Sequence, residues 1–351
     1  MMIKSNFNQH KQVAIWLYIG VFMIVIQVLL GGITRLTGSG LSITEWKPIL
    51  GTIPPLNEQA WQEAFLKYQQ IAQYKLLNSH FSLSDFKAIY FWEWFHRNWA
   101  RFMGLVFIIP FVYFIFTKKI DKKMIKPMII LFLLGALQGL IGWIMVKSGL
   151  NNEDVAVSYF RLAVHFIAAL ILLCYVLWFA LSISVNKEKI YHLPSLKKLN
   201  ILLLVLLFVQ FIYGAFMAGS HAALAARTWP DINGMWWPEG IFKQGGFIND
   251  ILHNLYTIQF IHRGLAYILT LLIIYWSYLA TKLPKENSLY KWRFVPSIVV
   301  VFQVIIGVLT LLNSEFNGPI FYGVLHQFVG MLLSMVLLIT LFLSSKSKIS
   351  N

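Results

Sequence analysis

The sequence is poor in charge and poorest in acid. Of 351 residues only 12% are Asp, Glu, Lys or Arg, and 14 acids stand against 29 bases. A soluble domain has about a quarter of its residues charged, so this chain has too little charge for a surface that faces water all round. Cysteine is almost missing. Cys174 is the single one, and it lies in an apolar run. A disulfide within the chain is thereby excluded, as is a thiol pair that relays electrons. The N-terminal stretch has neither a small-residue cleavage site nor an Arg/Ser-rich transit pattern, so the first hydrophobic run is expected to stay in place.

Hydrophobic residues make up 58% of the chain. They gather in eight runs near 13–33, 95–117, 126–147, 158–182, 199–219, 257–280, 294–314 and 319–343. Each is about 20 residues, the length of helix that crosses a bilayer core of about 30 Å. The sequence therefore predicts an all-α polytopic membrane protein in contact with lipid.

The net charge of +15 fits this reading, with no need for nucleic acid as a partner. Lysines and arginines retained on the cytoplasmic side orient membrane helices. Here they fill the even-numbered connections: Lys118, Lys119, Lys122, Lys123 and Lys126, then Lys187, Lys189, Lys197 and Lys198, then Lys282, Lys285, Lys291 and Arg293. Lys4 and Lys11 precede the first run, and Lys346 and Lys348 follow the last. Both termini are expected in the cytoplasm, with the long loops 34–94 and 220–256 outside.

The two halves of the chain repeat. Gln27 and Gln210, Gly31 and Gly214, Trp46 and Trp229, Gly51 and Gly234, and Pro55 and Pro238 are each 183 residues apart. The offset then shortens to 166 for His96 and His262, 165 for Gln138 and Gln303, and 161 for His165 and His326. This pattern points to a duplicated four-helix unit, 1–185 and 186–351. An even number of spans keeps both copies the same way up, as two tandem bundles about a pseudo-two-fold axis along the membrane normal. A Gln-x-x-x-Gly step recurs in runs one, three, five and seven. Its preferred reading is close helix packing at the glycine with the amide as interhelical glue.

Nine histidines are present. His10, His80, His192, His221 and His253 fall in tails or loops and read as solvated. The other four fall in helices: His96 and His262 in the first turns of the second and sixth spans, His165 and His326 about two turns into the fourth and eighth. All four share a depth in the outer leaflet. Polar groups in lipid are costly and mark function. Facing histidines in a four-helix bundle hold a haem through both axial positions. Zinc gathers three or four ligands at one point, a poorer match to two histidines per repeat. Arg35, Arg97, Arg161 and Arg263 lie near the same end and are candidate partners for propionates, or else ordinary interfacial cations.

The repeats differ at one telling place. Glu93 is three residues before His96, on the same helix face, whereas the matching residue before His262 is Gln259. One repeat has a titratable group beside its histidine and the other an amide, as expected if one porphyrin is worked on and the other is a fixed cofactor. The plain alternative is an acid favoured by the helix dipole or paired with Arg97 at i,i+4.

With these residues in hand, the chain resembles the haem A synthase family over essentially its whole length. The resemblance rests on Gly31-Gly32-Ile33-Thr34-Arg35-Leu36-Thr37-Gly38-Ser39-Gly40-Leu41, Glu93-x-x-His96-Arg97, His165, His262-Arg263 and His326-Gln327, with the loop Thr228-Trp229-Pro230, Gly234 and Pro238. The first loop, around Leu41 to Phe91, is similar to that of the proteobacterial and mitochondrial branch. The resemblance implies an oxidoreductase of the bacterial inner membrane that oxidises a methyl group of haem O to a formyl group, with water as oxygen source. It implies His262 and His326 as axial ligands of a resident haem B, His96 and His165 as the pair holding substrate haem O, and Glu93 as the catalytic acid. It also implies a haem O synthase and cytochrome oxidase assembly as partners, and leaves a homo-oligomer open. The loop cysteine pairs of another branch have no counterpart here. Two other classes fit the histidines: a di-haem b-type electron-transfer protein linked to quinol, and a duplicated transporter with histidine proton relays.

Overall fold

The computed structural model describes residues 2–47, 50–243, 245–315 and 320–345. Pro319, expected to open the eighth span, and Lys346 and Lys348 lie outside these, as do Pro48, Ile49 and Gln244 of the long loops.

The described chain is helical. In order it runs α1 (Met2–Leu36), α2 (Glu58–Tyr68), α3 (Ala72–Leu76), α4 (Leu83–Phe116), α5 (Lys122–Lys147), α6 (Tyr159–Ser184), α7 (Pro194–Gly219), α8 (Phe247–His253), α9 (Leu255–Thr281), α10 (Ser288–Trp292), α11 (Val295–Leu312) and α12 (Ile320–Leu343). Among the described residues eight helical segments are long and apolar enough to cross a membrane, one for each expected run.

The helix ends follow from local chemistry. Ser82 and Asp85 form a reciprocal capping box that starts α4 at Leu83. Asn254 ends α8 and caps α9 by accepting from Tyr256 N and Thr257 N. Pro194 opens α7 where a missing N–H costs nothing. His10 lies within α1 and His253 closes α8, where the sequence reading had tail and loop.

The start of α4 corrects the sequence reading most. The second span was expected from residue 95, but the helix is 34 residues long, about 51 Å at 1.5 Å per residue. Its first turns serve the external loop. Phe86 and Ile89 are buried in a cluster with Leu41, Phe65, Tyr68 and Ile71. Rings stack edge to face there, Trp61 against Tyr90 at 5.0 Å and Phe65 against Tyr74 at 5.7 Å. His96 consequently lies more than three turns into its helix and His262 two turns into α9, where both were expected in the first turn.

The chain divides into two compact units, one of residues 22–172 and one of residues 1–21 with 173–351. In the latter, α7 packs on α9, α9 on α11, α11 on α12 and α12 on α7, which closes a ring of four helices. In the former, α1 meets α4 where Trp99 Nε1 donates to Met23 O at 3.0 Å. There α4 meets α5 where Phe107 stacks on Phe132, and α6 meets α5 where Arg161 donates to Ile144 O at 3.0 Å.

Candidate functional site

Each of the four helix histidines lies against a glycine of another helix. A Cβ on Gly31 would come 3.3 Å from His96 Nε2, and one on Gly142 2.8 Å from His165 Cε1. In the other unit, a Cβ on Gly214 would come 3.4 Å from His262 Cε1, and one on Gly307 2.8 Å from His326 Cε1. These are the glycines of the four Gln-x-x-x-Gly steps. Three of the glutamines touch the same rings. Gln138 Nε2 is 3.2 Å from His165 Nδ1, Gln210 Nε2 is 3.4 Å from His262 Nε2, and Gln303 Nε2 is 3.4 Å from His326 Nε2. Gln138 and Gln210 also donate to the backbone carbonyl of their histidine, at 2.9 and 3.0 Å. The step was read from sequence as helix packing, but the glycine makes room for an imidazole and the glutamine touches it.

The two units use matching geometry, each within itself. In the ring of α7, α9, α11 and α12, His262 and His326 have ring centroids 6.5 Å apart with planes at 69°. Two imidazoles on opposite sides of one iron have centroids about 6 Å apart, and their planes are free to cross at any angle about the shared axis. His262 Nδ1 and His326 Nδ1 are buried without a hydrogen-bond partner. An orphaned buried ring nitrogen on each of two facing histidines fits an axially ligated haem. Among the described residues no group of three or more His, Cys, Asp or Glu side chains converges as a metal cage. In the other unit, His96 and His165 lie against Gly31 and Gly142 in the same way.

Glu93 is buried, 2% exposed. Oε2 accepts from Ser42 Oγ at 2.7 Å and from Ile43 N at 2.8 Å, and Oε1 accepts from Arg97 Nη2 at 2.6 Å. Arg97 also donates to Ile43 O and Glu45 O, at 3.1 and 3.2 Å. The pair thus clamps the first external loop to α4. Gln259 and Arg263 do the same in the second repeat. Arg263 donates to Gln259 Oε1, to Ala226 O at 3.1 Å and to Thr228 O at 3.0 Å. Ala226 and Thr228 are 183 residues beyond Ile43 and Glu45, so the arginines grip equivalent carbonyls. The acid and the amide differ in what they grip. Gln259 Nε2 donates to Ala222 O at 2.6 Å, something a carboxylate cannot do, and the counterpart of Ser42 is Ala225, which has no hydroxyl.

The candidate cations separate accordingly. Arg97 and Arg263 are engaged with loop carbonyls, and Arg263 keeps one unbonded N–H at its buried Nε. Arg161 sits on an exposed carbonyl at the end of α5, one turn before His165, and Arg35 closes α1. Sequence reasoning passed over Arg101, which donates to Asn98 Oδ1 at 2.7 Å and Lys47 O at 3.1 Å and adds a third tie to the same loop.

Residues 14–338 match the family described as cytochrome oxidase assembly protein. The chain belongs to that family. Among its relatives, the haem A synthase of Bartonella tribocorum is 40% identical over 91% of this chain and 88% of its own length. That of Flavobacterium johnsoniae is 39% identical over 97% and 99%. That of Wolbachia pipientis wMel is 42% identical over 93% and 91%. The family match, residues 14–338, takes in all four histidine cradles and both loop clamps.

Proposed function

We propose that this membrane protein is an oxidoreductase that converts a methyl group of haem O to a formyl group, making haem A for cytochrome oxidase. Its carrying observation is the whole-length similarity to proteins named haem A synthase, 39–42% identical, in a chain whose four histidines sit in glycine cradles. The reaction balances with water as the source of oxygen. Methyl and water give the alcohol, two protons and two electrons, and the alcohol gives the aldehyde, two protons and two electrons.

In this reading the half 186–351 would hold haem B between His262 and His326, and the bound haem would supply a one-electron relay by which the four electrons pass singly to an oxidant outside the chain. The half 1–185 takes haem O from the lipid side, with His96 and His165 holding its iron. Glu93 is the catalytic carboxylate of that half and takes up a proton or positions the incoming water. Its oxygens already accept from Ser42, Ile43 and Arg97, so proton uptake there loosens the clamp on the first loop. Arg35, Arg97, Arg161 and Arg263 are the candidate propionate partners, and Arg263 retains one N–H for that purpose. The chain lies in the bacterial inner membrane with both termini cytoplasmic. A haem O synthase supplies the substrate, and oxidase assembly consumes the product.

The test is expression in bacterial cells that make haem O but no haem A. Membrane haems separated by chromatography are expected to include haem A with the intact chain and none with Glu93→Gln. Well-folded wild-type protein that yields no haem A refutes the proposal.

A further inference from the structure

Each Gln-x-x-x-Gly step leaves an amide oxygen in an awkward state. Gln27 Oε1, Gln138 Oε1, Gln210 Oε1 and Gln303 Oε1 are all buried without a hydrogen-bond partner. A buried acceptor with no donor is costly, and four at equivalent places in two repeats are unlike scattered packing defects. For three of them the other end of the same amide already lies 3.2–3.4 Å from an imidazole nitrogen.

The missing donor is on the imidazole itself. A neutral ring that gives one nitrogen to a metal must carry its proton on the other, and that N–H needs an acceptor. In His262 and His326 one nitrogen lies against the glutamine and the other has no partner. For Gln303 a half-turn of the terminal amide exchanges its nitrogen for its oxygen, whereas at Gln138 and Gln210 it would break the donation to the histidine carbonyl. At Gln303 it turns an N–H facing the ring into an acceptor facing the ring.

Resting on the haem reading of the preceding subsection, we infer that Gln303 is a positioning residue for His326, its amide oxygen accepting the imidazole N–H opposite the iron. This bond fixes which ring nitrogen is free for the metal and holds the plane of the ring. It also makes the imidazole more electron-donating, which favours ferric over ferrous iron. The glycine four residues on sets the ring's depth, and the glutamine sets its tautomer.

The experiment uses full-length protein purified in detergent, with Gln303→Leu and Gln303→Glu beside wild type. Three properties are read: haem B per chain, the midpoint potential of the low-spin haem, and its electron paramagnetic resonance g-values. Gln303→Leu is expected to raise the potential, shift the g-values and weaken haem retention by about 10- to 100-fold, the usual cost of losing such a partner. Gln303→Glu keeps an acceptor and is expected at or below the wild-type potential with haem retained. Should the leucine variant not fold, the glutamate variant decides, and a rise in its potential overturns the inference. Wild-type potential and g-values in Gln303→Leu would show the amide to be packing only, with the haem reading left standing. A wild-type protein with no low-spin haem would instead remove the haem reading, and this inference with it.

Discussion

Gly307 leaves His326 no room for even one methyl group more: a Cβ there would come 2.8 Å from the ring. The same distance separates a Cβ at Gly142 from His165. Gly307→Ala must therefore displace the imidazole from its place facing His262, at an overpacking cost of about 1–3 kcal/mol. The expected result is loss of the low-spin haem spectrum in purified protein. Gly20→Ala is the control, since its Cβ would meet Val176 at an ordinary 3.8 Å and should leave the spectrum unchanged.

Exchanging acid and amide between the repeats should fail in two different ways. Glu93→Gln keeps the shape and the bond to Arg97 but sets an amide N–H against Ile43 N, so the protein is expected to fold and retain haem with a weakened loop clamp. Product formation should fall at least about 100-fold, the lower end of what a general acid or base contributes. Gln259→Glu sets a carboxylate oxygen against Ala222 O, where Gln259 now donates. The unmet acceptors should lower stability by about 1–3 kcal/mol. Thermal unfolding followed alongside haem A output separates the two cases.

Arg97 joins three acceptors through one planar fork: Glu93 Oε1, Ile43 O and Glu45 O. Lysine is a point donor and cannot span them. Arg97→Lys should release the segment near Ser42–Glu45, each lost charged bond weighing about 1.5–3 kcal/mol. Faster amide hydrogen exchange in that segment checks this, and unchanged protection would show that the clamp is not what holds the loop. Arg263→Lys should do the same near Ala226–Thr228.

Cys174 has no partner thiol in the chain. Cys174→Ala should therefore leave haem A output within about twofold of wild type, as for most substitutions away from special contacts. Loss of activity on that substitution would mean that thiol chemistry takes part after all.

The helices were legible because each span is a run of apolar residues near bilayer length, a property of composition alone. Leu83 was not legible as the start of α4. Phe86, Ile89 and Tyr90 look like the approach to a membrane segment, and only the loop core of Phe65 and Tyr68 shows what they pack against. The histidines and the Glu93/Gln259 difference stood out through the repeat. Their partners did not, because Ser42 is 51 residues from Glu93 and Gly307 belongs to a different helix from His326. The Gln-x-x-x-Gly step was visible four times, yet packing glue and histidine cradle share one sequence pattern. Contact between Gln303 and His326 is what tells them apart.

The central claim, that a porphyrin is this protein's substrate as well as its cofactor, is tested most directly by the haems it carries. Protein is purified from cells that also make haem O, the haems are extracted, and each is identified by chromatography and mass. The account predicts haem B together with haem O, its hydroxylated form or haem A. Haem B alone, in two equivalents and unchanged by haem O supply, would contradict it and leave an electron-transfer cytochrome in its place.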